Sequence, residues 1–204
     1  MLRALLVLLA LVALTACAPK EVWAPDDVVA RAAYSEPGPP TITVFTVLSN
    51  RSNAGEHSGL LIKGSQTVMF DPAGTWHHRA LPERNDVFYG VTPKMVSYYI
   101  DYHARETYRV RKQVIQVTPE QAAIAMQRAM AYGPVPKARC AWATSSILQG
   151  VPGFESISQT LGPKKLANQV AKLPGLIEDV EITDDDADKN HGVLMVQQED
   201  VERF

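Results

Sequence analysis

Three strand-like segments in close succession constrain this chain most. Thr41–Leu48 (TITVFTVL) is rich in β-branched residues, and His57–Lys63 and Thr67–Asp71 follow it after short polar connections. Gly64-Ser65-Gln66 joins the last two. That loop predicts an antiparallel pair with Lys63 opposite Thr67 and Gly59 opposite Asp71. In this register the side chains of His57, Gly59 and Asp71 share one face, and Gly59 leaves room between the other two. A loop one residue shorter would send Asp71 to the opposite face.

Helices follow the strands. Thr92-Pro93 reads as an N-cap with proline at the first helical position, predicting a helix to about Ala104. Thr107–Val117 alternates as a strand. Thr118-Pro119-Glu120-Gln121 starts a second helix with a capping box, and that helix ends near Gly133. After Pro134-Val135-Pro136, Arg139–Leu148 reads as a short apolar helix, and Pro163–Leu173 as another. Glu178–Asp188 is acidic and is expected to be a solvated face. Val193–Val196 reads as one more short strand.

The N-terminus is expected to be an address rather than part of the fold. Arg3 precedes an unbroken apolar run, Ala4–Leu14, which is shorter than the ~20 residues a spanning helix needs. The run ends in Leu14-Thr15-Ala16-Cys17, which resembles a bacterial lipobox. The resemblance implies a signal peptide over 1–16, lipid attached to Cys17, and anchoring to a membrane without crossing it. Ala18, where Asp would favour retention at the inner membrane, points to the outer membrane facing the periplasm. Residues 17–40 carry Pro19, Pro25, Pro37, Pro39 and Pro40 and read as a tether with a short helix near Asp26–Ala33. The domain proper is expected over 41–177, with an acidic segment over 178–204.

Composition narrows the function classes. With 46% hydrophobic and 21% charged residues the chain is globular, not disordered, and a net charge of −2 argues against general nucleic-acid binding. Cys17 and Cys140 are too few for a disulfide scaffold or a four-thiolate zinc site. If Cys17 carries lipid, Cys140 is an unpaired thiol in an oxidising compartment.

Cys140 therefore draws the functional reading. It begins a predicted helix, where free N–H groups stabilise a thiolate, with Lys137 and Arg139 nearby. Cys140, Thr144, Ile147 and Leu148 share a helix face. A nucleophilic thiol needs a base. Of His57, His77, His78, His103 and His191, only His57 sits on a predicted central strand, and it is the candidate. Asp71 is the candidate to orient its imidazole, although Asp before Pro also builds turns.

The residues His57-Ser58-Gly59-Leu60-Leu61-Ile62, Val68-Met69-Phe70-Asp71-Pro72-Ala73-Gly74 and Arg139-Cys140-Ala141-Trp142-Ala143-Thr144 resemble the circularly permuted branch of the NlpC-type cysteine peptidases. That branch includes relatives of lecithin:retinol acyltransferase and YiiX-type periplasmic proteins. The resemblance spans about 41–150. It implies an α+β, papain-like fold in which a small antiparallel sheet packs on helices and the His strand precedes the Cys helix. Many relatives carry a small polar residue before the cysteine, where this chain has Arg139.

The expected activity is a cysteine hydrolase or acyl transferase working through a thioester, with no cofactor or metal. By the resemblance, its substrate is a peptidoglycan peptide bond or a lipid ester. The alternative is a non-catalytic lipoprotein of the same fold that binds a lipid or a partner, with Cys140 an inert core thiol. A metal hydrolase using His57, Asp71 and His77 or His78 has less behind it, since no helical His-x-x-x-His pair is present.

Overall fold

The computed structural model describes residues 21–183. It is an α+β fold. Seven antiparallel strands form one sheet in the order β4-β5-β3-β2-β1-β6-β7. The strands are β1 (Thr41–Ser49), β2 (Gly55–Lys63), β3 (Thr67–Phe70), β4 (Glu83–Arg84), β5 (Val87–Tyr89), β6 (Tyr108–Gln116) and β7 (Leu176–Ile182). The described helices are α1 (Asp26–Ala32), α2 (Pro93–His103), α3 (Pro119–Met130), α4 (Cys140–Gln149) and α5 (Pro163–Val170).

The period-2 pattern of the strands sorts two cores onto the two faces. Ile42, Val44, Leu60, Ile62, Val68 and Phe70 pack under α3, α4 and α5. Phe45, Leu61 and Met69 face the other way, against Trp76 and against Met95, Tyr98 and Tyr99 of α2. The site lies where these two layers meet.

Helix starts follow the sequence closely. Thr92 Oγ1 accepts the Met95 N–H, and Thr118 and Gln121 exchange both bonds of the capping box at 3.1 and 2.7 Å. Two expectations change and one element is new. Residues 178–182 face solvent as expected but form part of strand β7, where Glu178, Asp179 and Glu181 meet Lys112, Arg111 and Arg109 across the pair with β6. The sheet therefore extends past residue 177. The tether is also shorter than expected. Val22 exchanges hydrogen bonds with Asn85, Trp23 bridges Arg84, and Tyr34 O accepts the Thr67 N–H, so the chain is docked on the domain from Val22 onward. Finally, the β4–β5 hairpin had no sequence expectation, being too short to show a periodic pattern.

No helix among the described residues is long and apolar enough to cross a membrane. The signal segment 1–16, Cys17, His191 and the strand expected at Val193–Val196 lie outside the described residues.

Candidate active site

Strand β3 stays paired with β2 only as far as Phe70 opposite Leu60. The register is the one with Lys63 opposite Thr67. At Asp71 the chain leaves β2, and the Asp71 N–H turns instead to Asp86 O at 2.9 Å. The lower edge of β2, at His57–Gly59, is thereby opened in the middle of the sheet. The N-terminus of α4 fills this gap: the Ser58 N–H of β2 and the Ala141 N–H of α4 both point to the Cys140 sulfur.

His57 and Asp71 meet as the sequence register requires. His57 Nε2 lies 2.6 Å from Asp71 Oδ1, and the imidazole also shares a hydrogen bond with Cys140. With Nε2 committed to the carboxylate, Nδ1 is the nitrogen that serves the sulfur. Asp71 is 2% exposed and Cys140 6% exposed. Buried Tyr99 of α2 donates its hydroxyl to the same Asp71 Oδ1 at 2.8 Å. Gly59 makes room for this contact: a Cβ there would come within 2.5 Å of the Tyr99 hydroxyl and 3.3 Å of Asp71 Oδ1. Gly59→Ala is therefore expected to displace Tyr99 from Asp71 and destabilise the protein by about 1–3 kcal/mol, read in denaturant unfolding. Tyr99→Phe removes one bond to a buried carboxylate without adding bulk. Its expected cost is about 1.5–3 kcal/mol in the same assay, with the His57 pair retained.

The electrostatics favour an ion pair. Burial works against charge on His57, but the Asp71 carboxylate and the Cys140 sulfur outweigh it and raise the imidazole to about 10. Burial raises the Cys140 thiol, yet the His57 contact and the Ala141 and Ser58 N–H groups bring it below its ordinary value. Asp71 is likewise held low, its desolvation overcome by His57, His103 and Tyr99. The lowered thiol, the raised imidazole and the lowered carboxyl all shift the row toward its thiolate–imidazolium–carboxylate form. A raised His57 adds stability that is present below its ordinary value of 6.5 and is lost as pH rises through about 10. The depressed Asp71 adds stability that is present above 3.8 and is lost on acidification. The Arg139 guanidinium, directly before Cys140, lies over the Trp142 ring, 5.8 Å from its centroid.

His103 joins this group without having been singled out from the sequence. Its ring stacks on His57 with centroids 5.5 Å apart and 9° between planes, and its Nδ1 is 2.8 Å from Tyr99 O. The spacing of Tyr99 and His103, four residues apart on a helix, was the available signal. His57, Asp71 and His103 bring ligand-type atoms within 4.8 Å of one another. Two stacked, nearly parallel rings do not aim their nitrogens at a common point, and His57 Nε2 already holds Asp71. The donor set therefore suits proton transfer better than metal coordination. His77 and His78 lie further along the β3–β4 connection, beside Tyr98, and do not join the cluster.

The Asp71-Pro72-Ala73-Gly74 turn closes with the Gly74 N–H on Asp71 O at 3.1 Å, and Ala73 takes a left-handed φ of 57°. Beside His57 opens a cleft of about 390 Å³, walled by Gly74, Thr75, Tyr102, His103, Thr107 and Tyr108. Tyr102 lines it, while Tyr98 and Tyr99 are buried in the core. Comparison of the chain with protein-family models, curated proteins and solved structures returns no match.

Proposed function

We propose that the protein is a cysteine hydrolase or acyl transferase of the papain-like, circularly permuted kind, acting on an amide or ester carbonyl. One observation carries the reading: Cys140 at a helix N-terminus shares a hydrogen bond with His57, whose other nitrogen is held 2.6 Å from Asp71. Chain order supports it too, with the His strand β2 ahead of the Cys helix α4.

In this reading the Cys140 thiolate attacks the carbonyl carbon, and the N–H groups at the start of α4 face the negative charge that develops on oxygen. The tetrahedral adduct collapses to a thioester as His57 gives its proton to the departing amine or alcohol. His57, now neutral, takes a proton from water or another acceptor, which attacks the thioester and frees the thiolate. Asp71 holds the imidazole orientation and offsets its charge, and Tyr99 fixes Asp71. The sequence resemblance favours a peptidoglycan peptide or a lipid ester as substrate, presented to an envelope lipoprotein anchored through Cys17.

The test is the rate of Cys140 alkylation by iodoacetamide as a function of pH. The expected midpoint lies below the ~8.5 of a free thiol. A midpoint at or above that value would instead favour the non-catalytic lipoprotein, a reading that the burial of Cys140 supports. Mass spectrometry of membrane-extracted protein is expected to find lipid on the Cys17 peptide, and a mature chain retaining residues 1–16 would refute the anchor.

A further inference from the structure

We propose that Asp86 is a positioning residue for this site, a single carboxylate that holds the Asp71 turn and the segment leading to Cys140 at a fixed distance from each other. The proposal rests on the hydrolase reading above. Asp86 lies at the tip of the β4–β5 hairpin, whose two-residue connection is Asn85-Asp86. Both residues have positive φ, 46° and 67°, as a type I′ turn requires. The strands need only this turn, which Asn-Gly would supply as well. The Asp86 side chain does more.

Asp86 Oδ2 accepts the Val135 N–H at 2.7 Å, and the same carboxylate accepts the Ala73 N–H. Its backbone oxygen takes the Asp71 N–H at 2.9 Å. Val135 is buried between Pro134 and Pro136, a few residues before Cys140, and Pro136 O in turn accepts the Arg139 N–H. One residue thus ties the Asp71 turn, at Asp71 and Ala73, to the approach to the nucleophile. On its other side the tip is anchored, since Asn85 pairs with Val22 through both its backbone and its side chain.

The fold bears a cost for keeping this group. Burial lifts the Asp86 carboxyl to about 6, with Glu83 and Asp71 adding to the rise and the Val135 and Ala73 N–H groups opposing it. Its folded value stands above the 3.8 of an unfolded chain, so this carboxyl counts progressively against folding as pH rises from 3.8 and carries its full penalty above about 6. A residue kept only for stability would not be expected to carry this charge.

Asp86→Asn separates the two roles, because asparagine accepts a left-handed φ and leaves the turn intact. It removes the charge and converts one acceptor oxygen into a donor. In the full chain we expect the unfolding temperature at pH 8 to be unchanged or raised. We expect the iodoacetamide midpoint of Cys140 to move up by about one unit, roughly tenfold in rate well below the midpoint. Hydrogen exchange is expected to quicken in both 71–75 and 133–141. A low midpoint in the unsubstituted protein that Asp86→Asn leaves in place would overturn the role of Asp86 alone. A large loss of folding stability with no change in the midpoint would assign it a purely structural role and also overturn the proposal. An ordinary thiol in the unsubstituted protein would sink the hydrolase reading, and the proposal with it.

Discussion

Cys140→Ala abolishes the rapid release of nitrophenolate expected when the protein meets p-nitrophenyl acetate, and with it the acetyl adduct seen by intact mass. Among the described residues Cys140 is the free cysteine, and it is the one nucleophile set against His57. His57→Ala keeps the sulfur but removes the group that lowers its pKa and returns the proton. The expected loss is about 10²- to 10⁴-fold in the acylation rate, accompanied by a return of the thiol toward ordinary acidity. Asp71→Asn is milder, since nucleophile and base remain and only orientation and charge suffer. All three variants are expected to unfold cooperatively in a thermal scan, which separates lost chemistry from lost structure. Release that persists in Cys140→Ala would remove the thioester route altogether.

Gly74→Ala is expected to approach the His57 variant in severity without touching a reacting atom. A Cβ at Gly74 would collide with the Asp71 carboxylate, and backbone relief is closed off because the Gly74 N–H already holds Asp71 O at 3.1 Å. Either the carboxylate rotates off His57 or the turn opens. We expect at least a tenfold fall in acylation rate, a rise in the Cys140 midpoint and about 1–3 kcal/mol of lost stability. Ala73→Gly is the matched control. Its native φ of 57° suits glycine, so it should leave the rate and stability near their original values. A Gly74→Ala protein that acylates normally would show that Asp71 need not stay where it is.

The long elements were legible because each had a periodic or capping signal. Thr92 and Thr118 announced α2 and α3, and the β-branched run at 41–48 announced β1. The meeting of His57 with Asp71 followed from register alone. Tyr99 was harder to read. Its hydroxyl reaches Asp71 from a helix on the opposite side of the gap, and nothing in local spacing encodes that approach. Asp86 escaped notice because a two-residue hairpin turn carries little pattern and its role depends on segments far apart in sequence. β7 was not foreseen as a strand because its acids, which do face solvent, carry no strand pattern of their own. Their partners Arg109, Arg111 and Lys112 lie on a strand some seventy residues earlier, as the Arg109–Glu181 separation of 72 shows.

The position of β7 at the end of the strand order has a consequence for how copies of the protein behave when crowded together. Among the described residues no strand pairs with its outer edge, and an edge bearing exposed Ile177 and Val180 is a template on which a second molecule could extend the sheet. Here the same strand carries Glu178, Asp179 and Glu181, each paired with a base of β6, so a second edge docking there would have to disturb a row of ion pairs. The barrier is electrostatic and fades as salt shortens its reach to ~3 Å at 1 M. On the proposed Cys17 anchor, molecules confined to one membrane plane would meet edge to edge far more often than in dilute solution. Under those conditions the ion pairs along β7 would act as spacers between neighbouring domains.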